Sequence, residues 1–464
     1  MNRSIVFVLY LLGIVLVGPS LALGSEKTRD SVSNELLYTK GFLLATDKPA
    51  IIPEHYRQVD SSLWVDDSQL VTLSQNGQCC IIGFCVDIRF PEANLHIIAN
   101  QLERALALSE SDFHREGDYL CGRYVIVYKT KEGARHVVTD ASGFRPVFHD
   151  AQATVIASHS KLVAINIKSR VSRDLRVLYY DENDPTRSTQ YKGVFQLNPN
   201  KSLELSTGHM ERFFPYGCRD SLSKQEMANQ LTNMVGMALK GLILNQSKPI
   251  LLSLTGGADS RTTLSIMLLT GIKPELTFTY VKPGNGSSQD NAIATELCAK
   301  LGLKHVCVDS SEHPIPRTIK KAFWENCQFR FEDLPDQIVS NIALRFPKGQ
   351  YVHVCSHVTE IWRWFNGRGD REISMSNKFV QKAAAIGLDR ENLFDWPLSS
   401  MVYWENRLNR WLTESWVYTD VAFDTFCPYN CRKTISLMLS TPSDFQSTQE
   451  IHDLLIEKMY AANP

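Results

Sequence analysis

The residues best suited to chemistry lie in the stretch Ile250-Leu251-Leu252-Ser253-Leu254-Thr255-Gly256-Gly257-Ala258-Asp259-Ser260-Arg261. An apolar run meets a hydroxyl residue, two glycines, an aspartate and a serine, and a helical pattern follows. Such a string can cradle an anion. Glycines permit positive φ and let the main chain approach a ligand closely. Consecutive N–H groups and the helix N-terminus then point at phosphate oxygens. Thr255 and Ser260 add hydroxyl donors. The Asp259 carboxylate would repel bare phosphate, but it makes sense as a ligand of Mg²⁺ bridging to the phosphates. The spacing is not G-x-x-x-x-G-K-[ST], and no lysine follows the glycines. A plain strand–turn–helix junction, with Asp259 and Ser260 as caps, would be spelled the same way.

Other constellations are weaker. His353, His357 and Glu360 have the i, i+4, i+7 spacing of a zinc-binding helix face. The H-E-x-x-H order is missing and Tyr351–Cys355 reads as a strand, so zinc is not expected. Cys79, Cys80 and Cys85 sit in the apolar run Gln78 to Ile88 and read as core thiols. Cys427 and Cys431 lack the further ligands a metal knuckle needs. Tyr403-Trp404-Glu405-Asn406-Arg407 and Arg410-Trp411 read as a helix that packs its aromatic bodies and exposes its guanidinium groups.

Two kinds of scaffold must position these residues. From Leu36 to about Phe214 short β-branched or aromatic runs, bounded by turn residues, predict strands at 69–73, 80–86, 124–128, 136–139, 146–149 and 155–157. One helix interrupts them at 94–108, and a last strand pair is predicted at 193–197 and 202–206. After 215–222 the pattern changes. Ser223 and Glu226 form a capping box ahead of a long helix that carries Leu231, Val235, Ala238 and Leu242 on one face. Strands at 249–254, 276–280 and 305–308 then alternate with helices at 264–269 and 291–301, which predicts a parallel sheet. Helices dominate beyond Arg317. With 464 residues, 44 % hydrophobic and 21 % charged, the chain has the composition of a globular protein of two or three domains. Forty-nine basic residues against 50 acidic ones, without a long basic block, give no general attraction to nucleic acid.

The Thr255–Ser260 loop resembles the PP-loop, S-G-G-x-D-S, of the N-type ATP pyrophosphatases, with Thr255 for the first serine. Thr279 ends the next strand, where that family contacts adenine. Asp290, Ala294 and Leu301-Gly302-Leu303-Lys304-His305 resemble a D-x-x-x-A…L-G-x-x-H helix of asparagine synthetases. Val354 to Trp362 stands where they carry a strand and a G-D-E loop, keeping Glu360 and replacing the aspartate with Thr359. Leu120 to Tyr128 and Thr139 to Phe148 are similar to strands and an R-D-x-x-G-x-x-P-L turn of class II glutaminase domains.

The resemblance implies an α+β domain of stacked antiparallel sheets at 36–215, then an α/β domain at 222–464. The second would have an adenine nucleotide alpha-hydrolase-like PP-loop fold and a helical C-terminal region. It implies ATP and Mg²⁺, with nucleotide held by Ser253, Leu254, Thr255, Gly256, Gly257, Asp259, Ser260 and Thr279, and metal by Asp259 and Glu360. The implied reaction activates a carboxylate and joins it to an amine or ammonia. Lys433 and Lys458 are candidates for assisting the second step, neither within a motif.

A class II glutaminase uses an N-terminal cysteine, and Met1 is followed by Asn2. The apolar run Ile5 to Val17 and the Ala22-Leu23-Gly24 site predict a signal peptide or membrane anchor over 1–24. Cleavage would expose Ser25, but the charged residues after it do not resemble a buried first strand. The expected first domain is therefore glutaminase-like and inactive. Export would conflict with ATP use, so the ATP-using domain is expected to need cytosolic access.

Overall fold

The computed structural model describes residues 35–168, 187–282, 287–327, 334–361, 384, 387–396, 398–440 and 449–462. The apolar run at 5–23 and Ser25 lie outside them. Among the described residues no helix is long and apolar enough to cross a membrane.

The first half forms twelve strands. They are β1 (Phe42–Ala45), β2 (Tyr56–Gln58), β3 (Leu63–Asp66), β4 (Val71–Leu73), β5 (Cys79–Asp87) and β6 (Leu120–Lys129), then β7 (Arg135–Thr139), β8 (Phe148–Asp150), β9 (Val155–Ala157), β10 (Val194–Gln196), β11 (Lys201–Glu204) and β12 (Met210–Arg212). They make two six-stranded antiparallel sheets, ordered β10-β8-β9-β1-β3-β2 and β12-β11-β7-β6-β5-β4. Leu44, Val65, Ile82, Val125 and Ile156 fill the space between them. Strand alternation puts Cys80 and Ile82 on that inner face. Cys79, Ile81 and Cys85 face the other way, against Ile98, Ala99 and Leu102 of the helix Leu95–Leu108. Burial on both faces explains the continuous apolar run there, and all three cysteines are buried free thiols. Asn94 caps that helix by accepting the His96 and Ile97 amides.

Three sequence expectations fail here: the helices Glu110–Gly117 and Ser160–Asn166 add to the single one expected among the strands. The runs at 193–197 and 202–206 do not pair. β10 joins β8 in one sheet, and β11 joins β7 and β12 in the other. The link between them crosses from sheet to sheet, held by Asn198 and Asn200 donating to the Glu405 carboxylate at 2.7 and 3.0 Å. Residues 403–412 form a π-helix whose Arg410 is buried, not exposed. Its guanidinium donates to Ser188 O at 3.0 Å.

The second half holds β13 (Ile250–Ser253), β14 (Leu276–Val281), β15 (His305–Asp309), β16 (Val352–Val354) and β17 (Asp424–Phe426). All neighbours are parallel, in the order β15-β14-β13-β16-β17. The architecture is thus α+β followed by α/β. The Ser223–Glu226 capping box opens the helix Lys224–Asn245, which buries Leu231, Val235, Ala238 and Leu242. The helix Ala258–Leu269 follows β13, and Ser287–Lys300 follows β14. β17 is a three-residue edge strand within the region beyond Arg317 where helices are expected to dominate. Chain order reverses at β13: β14 and β15 extend the sheet on one side, β16 and β17 on the other. The two halves share one apolar cluster, in which Val86, Cys121, Phe144 and Phe214 pack with Leu231, Leu252, Trp404 and Tyr429.

Candidate functional site

The candidate loop leaves β13 at its carboxyl end, where the sheet changes direction. Open α/β sheets bind ligands in the crevice at such a point. Gly257 caps the helix Ala258–Leu269 and contributes no side-chain bond to its first amides. The macrodipole of that helix therefore faces the crevice with about half a positive charge.

Two details depart from the sequence reading. Neither Gly256 nor Gly257 has positive φ; Gly257 sits at φ −67°, ψ 151°. What Gly256 contributes is the missing side chain. A Cβ there would lie 2.7 Å from Ile293 Cδ1 and 3.0 Å from Asp290 Oδ1. Nor do the loop amides stand open. Thr255 N–H donates to Ser260 Oγ (3.0 Å), Gly256 N–H to Asp290 Oδ1 (3.1 Å) and Gly257 N–H to Thr255 Oγ1 (3.1 Å). The two hydroxyls close the loop upon itself. Asp290, from the helix Ser287–Lys300, places a carboxylate on the amide where a phosphate oxygen was expected.

Asp259 stands in the first turn of its helix. Thr359 Oγ1 donates to its Oδ1 at 2.9 Å, and the buried His452 Nε2 lies 3.7 Å from the same oxygen. Glu360 Oε2 accepts the Val358 amide at 2.9 Å. Asp259 and Glu360 both act on His357, raising its pKa. Thr279 is buried; its hydroxyl donates to Leu254 O and lies 3.3 Å from His305 Nε2, so here it braces the loop. Ser253 Oγ reaches Val354 O at 3.5 Å. Lys433 faces Asp220 at 3.8 Å and Lys458 donates to Asn229 at 3.0 Å; neither bonds the loop among the described residues.

Sequence reasoning gave no role to several groups the fold gathers here. Thr263 Oγ1 joins Asp259 O (3.1 Å), Ser356 Oγ (2.7 Å) and Tyr429 OH (3.0 Å). Cys355 Sγ lies 3.7 Å from His357 Nδ1. Burial pushes the Cys355 thiol up, but Cys427 and His357 outweigh it and hold it well below the ordinary value. Burial alone would lower His357; Cys355, Glu360 and Asp259 raise it to about 9. The two opposite shifts have a common cause, the closeness of the Cys355 thiol and the His357 ring. In the string Val354-Cys355-Ser356-His357 the two-residue spacing of Cys355 and His357 is the signal that could have found this pair. His353 lies in β16, off any helix, and no group of three or more His, Cys, Asp or Glu side chains could hold a metal among the described residues.

In the first half, Gly41 stands directly ahead of the buried β1, and Lys40 precedes it. Lys40 Nζ is buried against Asp424 Oδ1 at 2.5 Å.

No protein-family model matches the chain, and no curated protein matches it. Among solved structures it is similar to NMN synthetase from Francisella tularensis, at 12 % identity and a TM-score of 0.22 over 53 % of this chain and 97 % of that one. It is also similar to a structure titled as the allosteric regulatory enzyme of purine biosynthesis, at 12 % identity and 0.24 over 69 % of each chain. At these scores neither likeness assigns a chemistry.

Proposed function

We propose that the chain is an ATP-dependent, AMP-forming carbon–nitrogen ligase of asparagine synthetase type. A carboxylate is activated as its acyl-adenylate with release of pyrophosphate, and an amine or ammonia then displaces AMP. Residues 222–464 carry the reaction, and residues 36–215 are a glutaminase-like unit without glutaminase activity. The observation that carries this reading is the placement of the Thr255–Ser260 loop: carboxyl end of β13, reversal of strand order, uncapped helix start, acidic first turn.

The residues present suit the groups this reaction requires. Two carboxylates, Asp259 and Glu360, match a hard cation that takes one or two protein carboxylates and completes its shell with phosphate and water. Bound there, Mg²⁺ would offset charge on the departing pyrophosphate. For this chain's own part, the first amides of the helix Ala258–Leu269 orient phosphate oxygens. Thr359 holds the Asp259 carboxylate in place. Nucleotide must take the Gly256 amide from Asp290, an exchange of one hydrogen bond worth about 1 kcal/mol net. Lys40 and Gly41, ahead of β1, support the loss of glutaminase chemistry, since neither carries a thiol.

A second reading, a fold retained for binding or assembly without turnover, draws on the same loop. Its amides are already bonded, and Thr359 replaces a carboxylate. ATP–pyrophosphate exchange with candidate carboxylates separates the two. Exchange that disappears in Asp259→Ala supports the ligase; Mg·ATP binding without exchange for any carboxylate supports the second.

A further inference from the structure

At the amino end of the parallel sheet the two halves line a cavity of about 190 Å³. Lys248 precedes β13, Val352 starts β16 and Asp424 starts β17, so it sits below the amino ends of these strands, away from the candidate loop. One water needs roughly 10–15 Å³ and ordinary ligand pockets run from about 300 Å³, so the space suits a small molecule.

Its wall is cationic. Lys40, Arg123, Arg145 and Lys248 face Asp420 and Asp424, four positive charges against two negative. Arg123 holds Asp420 through both terminal nitrogens at 2.5 and 2.8 Å and gives its Nε to Phe144 O at 2.7 Å. Lys40 and Lys248 share Asp424 at 2.5 and 2.7 Å. Arg145 Nη1 reaches Lys40 O at 2.9 Å and Asp420 at 3.2 Å. Its Nε is buried with no partner among the described residues, and only 5 % of Arg145 is exposed. Burial and Arg123 push the Arg145 guanidinium down to about 10, so it stays cationic at neutral pH.

A third carboxylate, Asp140, stands behind the two arginines. Its oxygens are taken by the Ser142, Phe144 and Arg145 amides and by Asn430. The last turn of the helix Lys224–Asn245 adds about half a negative charge through Leu242 and Gln246. The enclosure stays positive after both are counted. Buried charge without a counter-charge is costly, and a partner must offset it.

We propose that this cavity binds a small oxyanion, a carboxylate or phosphate group, which takes the open Arg145 Nε and offsets the positive charge left on the wall. Gln69, Ser68 and Thr425 on the wall add neutral hydrogen-bonding groups. The proposal is binding and not turnover.

The test is calorimetric titration of the full chain with inorganic phosphate and, separately, with succinate, at constant ionic strength in chloride. Two variants at the mouth accompany it: Lys248→Met, whose side chain is 31 % exposed, and Leu70→Trp, which fills the space from a residue 47 % exposed. The wild type should bind at least one probe saturably. Lys248→Met should weaken binding about tenfold, the usual worth of one charge-assisted hydrogen bond, and Leu70→Trp should abolish it. Binding of phosphate alone or succinate alone also supports the proposal and decides the head group. Absence of saturable binding to both probes, or equal affinity in all three proteins, overturns it.

Discussion

Asp290 Oδ1 sits 3.1 Å from the amide nitrogen of Gly256, so a carboxylate of this chain occupies the position proposed for a nucleotide phosphate. An oxyanion on a main-chain N–H is what such a loop is built to hold. The bond shows that the Gly256 amide is directed at an acceptor, and it also means that a phosphate must compete for it.

Removing that competitor should tighten nucleotide binding. Asp290→Ala is expected to lower the Kd for Mg·ATP about fivefold, matching a bond of about 1 kcal/mol. Equilibrium dialysis with labelled ATP measures this. Weaker binding would assign Asp290 to holding nucleotide.

Gly256→Ala should destabilise the fold by no more than about 1 kcal/mol, because its Cβ would press on Ile293 Cδ1 and Asp290 Oδ1, both movable side-chain ends. Urea unfolding reads the loss. Adding Ile293→Ala should return part of it, which a purely conformational effect of the substitution would not allow.

How much of this was legible in the sequence follows from how local each feature is. The capping box at Ser223 and Glu226, the buried face of the following helix and the alternation around β13 are short-range patterns, and each has its structural counterpart. The division of β10 and β11 between sheets was not legible, because both partners are distant: β8 for one and β7 for the other. The burial of Arg410 depends on Ser188, far away in the chain. Asp290 could be named beforehand, but not its bond to Gly256, since only the fold brings those helix and loop positions together. The ionic cavity was not legible at all; Lys40, Arg123, Arg145 and Asp420 meet from four separate stretches.

Asp420 holds that assembly together, and Asp420→Asn should cost about 3–5 kcal/mol by leaving buried cations unpaired. Burial pushes this carboxylate up, but Arg123, Arg145 and Lys40 outweigh it and hold it below the ordinary value. Thermal unfolding of the full chain should show the loss, and a change within about 0.5 kcal/mol would mean the cations are hydrated.

Acid should weaken the fold well before ordinary carboxylates titrate. Burial pushes His114 and His159 down to about 3 and His353 to about 4. The unfolded chain takes up those protons near pH 6.5 and the folded chain does not, so this stability is complete above 6.5 and falls as pH drops toward 3–4. Asp118 opposes it, since burial raises that carboxyl to about 6 and the folded state binds a proton there first. The net slope between pH 6 and 5 should be on the order of 2 kcal/mol per unit. Urea midpoints across this range test it, and a flat profile would contradict it.

The most direct measurement is the affinity of the full chain for Mg·ATP, by calorimetry, beside Asp259→Ala. The account predicts saturable binding below millimolar concentration in the wild type and at least tenfold weaker binding in the variant. No binding at millimolar nucleotide, or equal affinity in the two proteins, would contradict it.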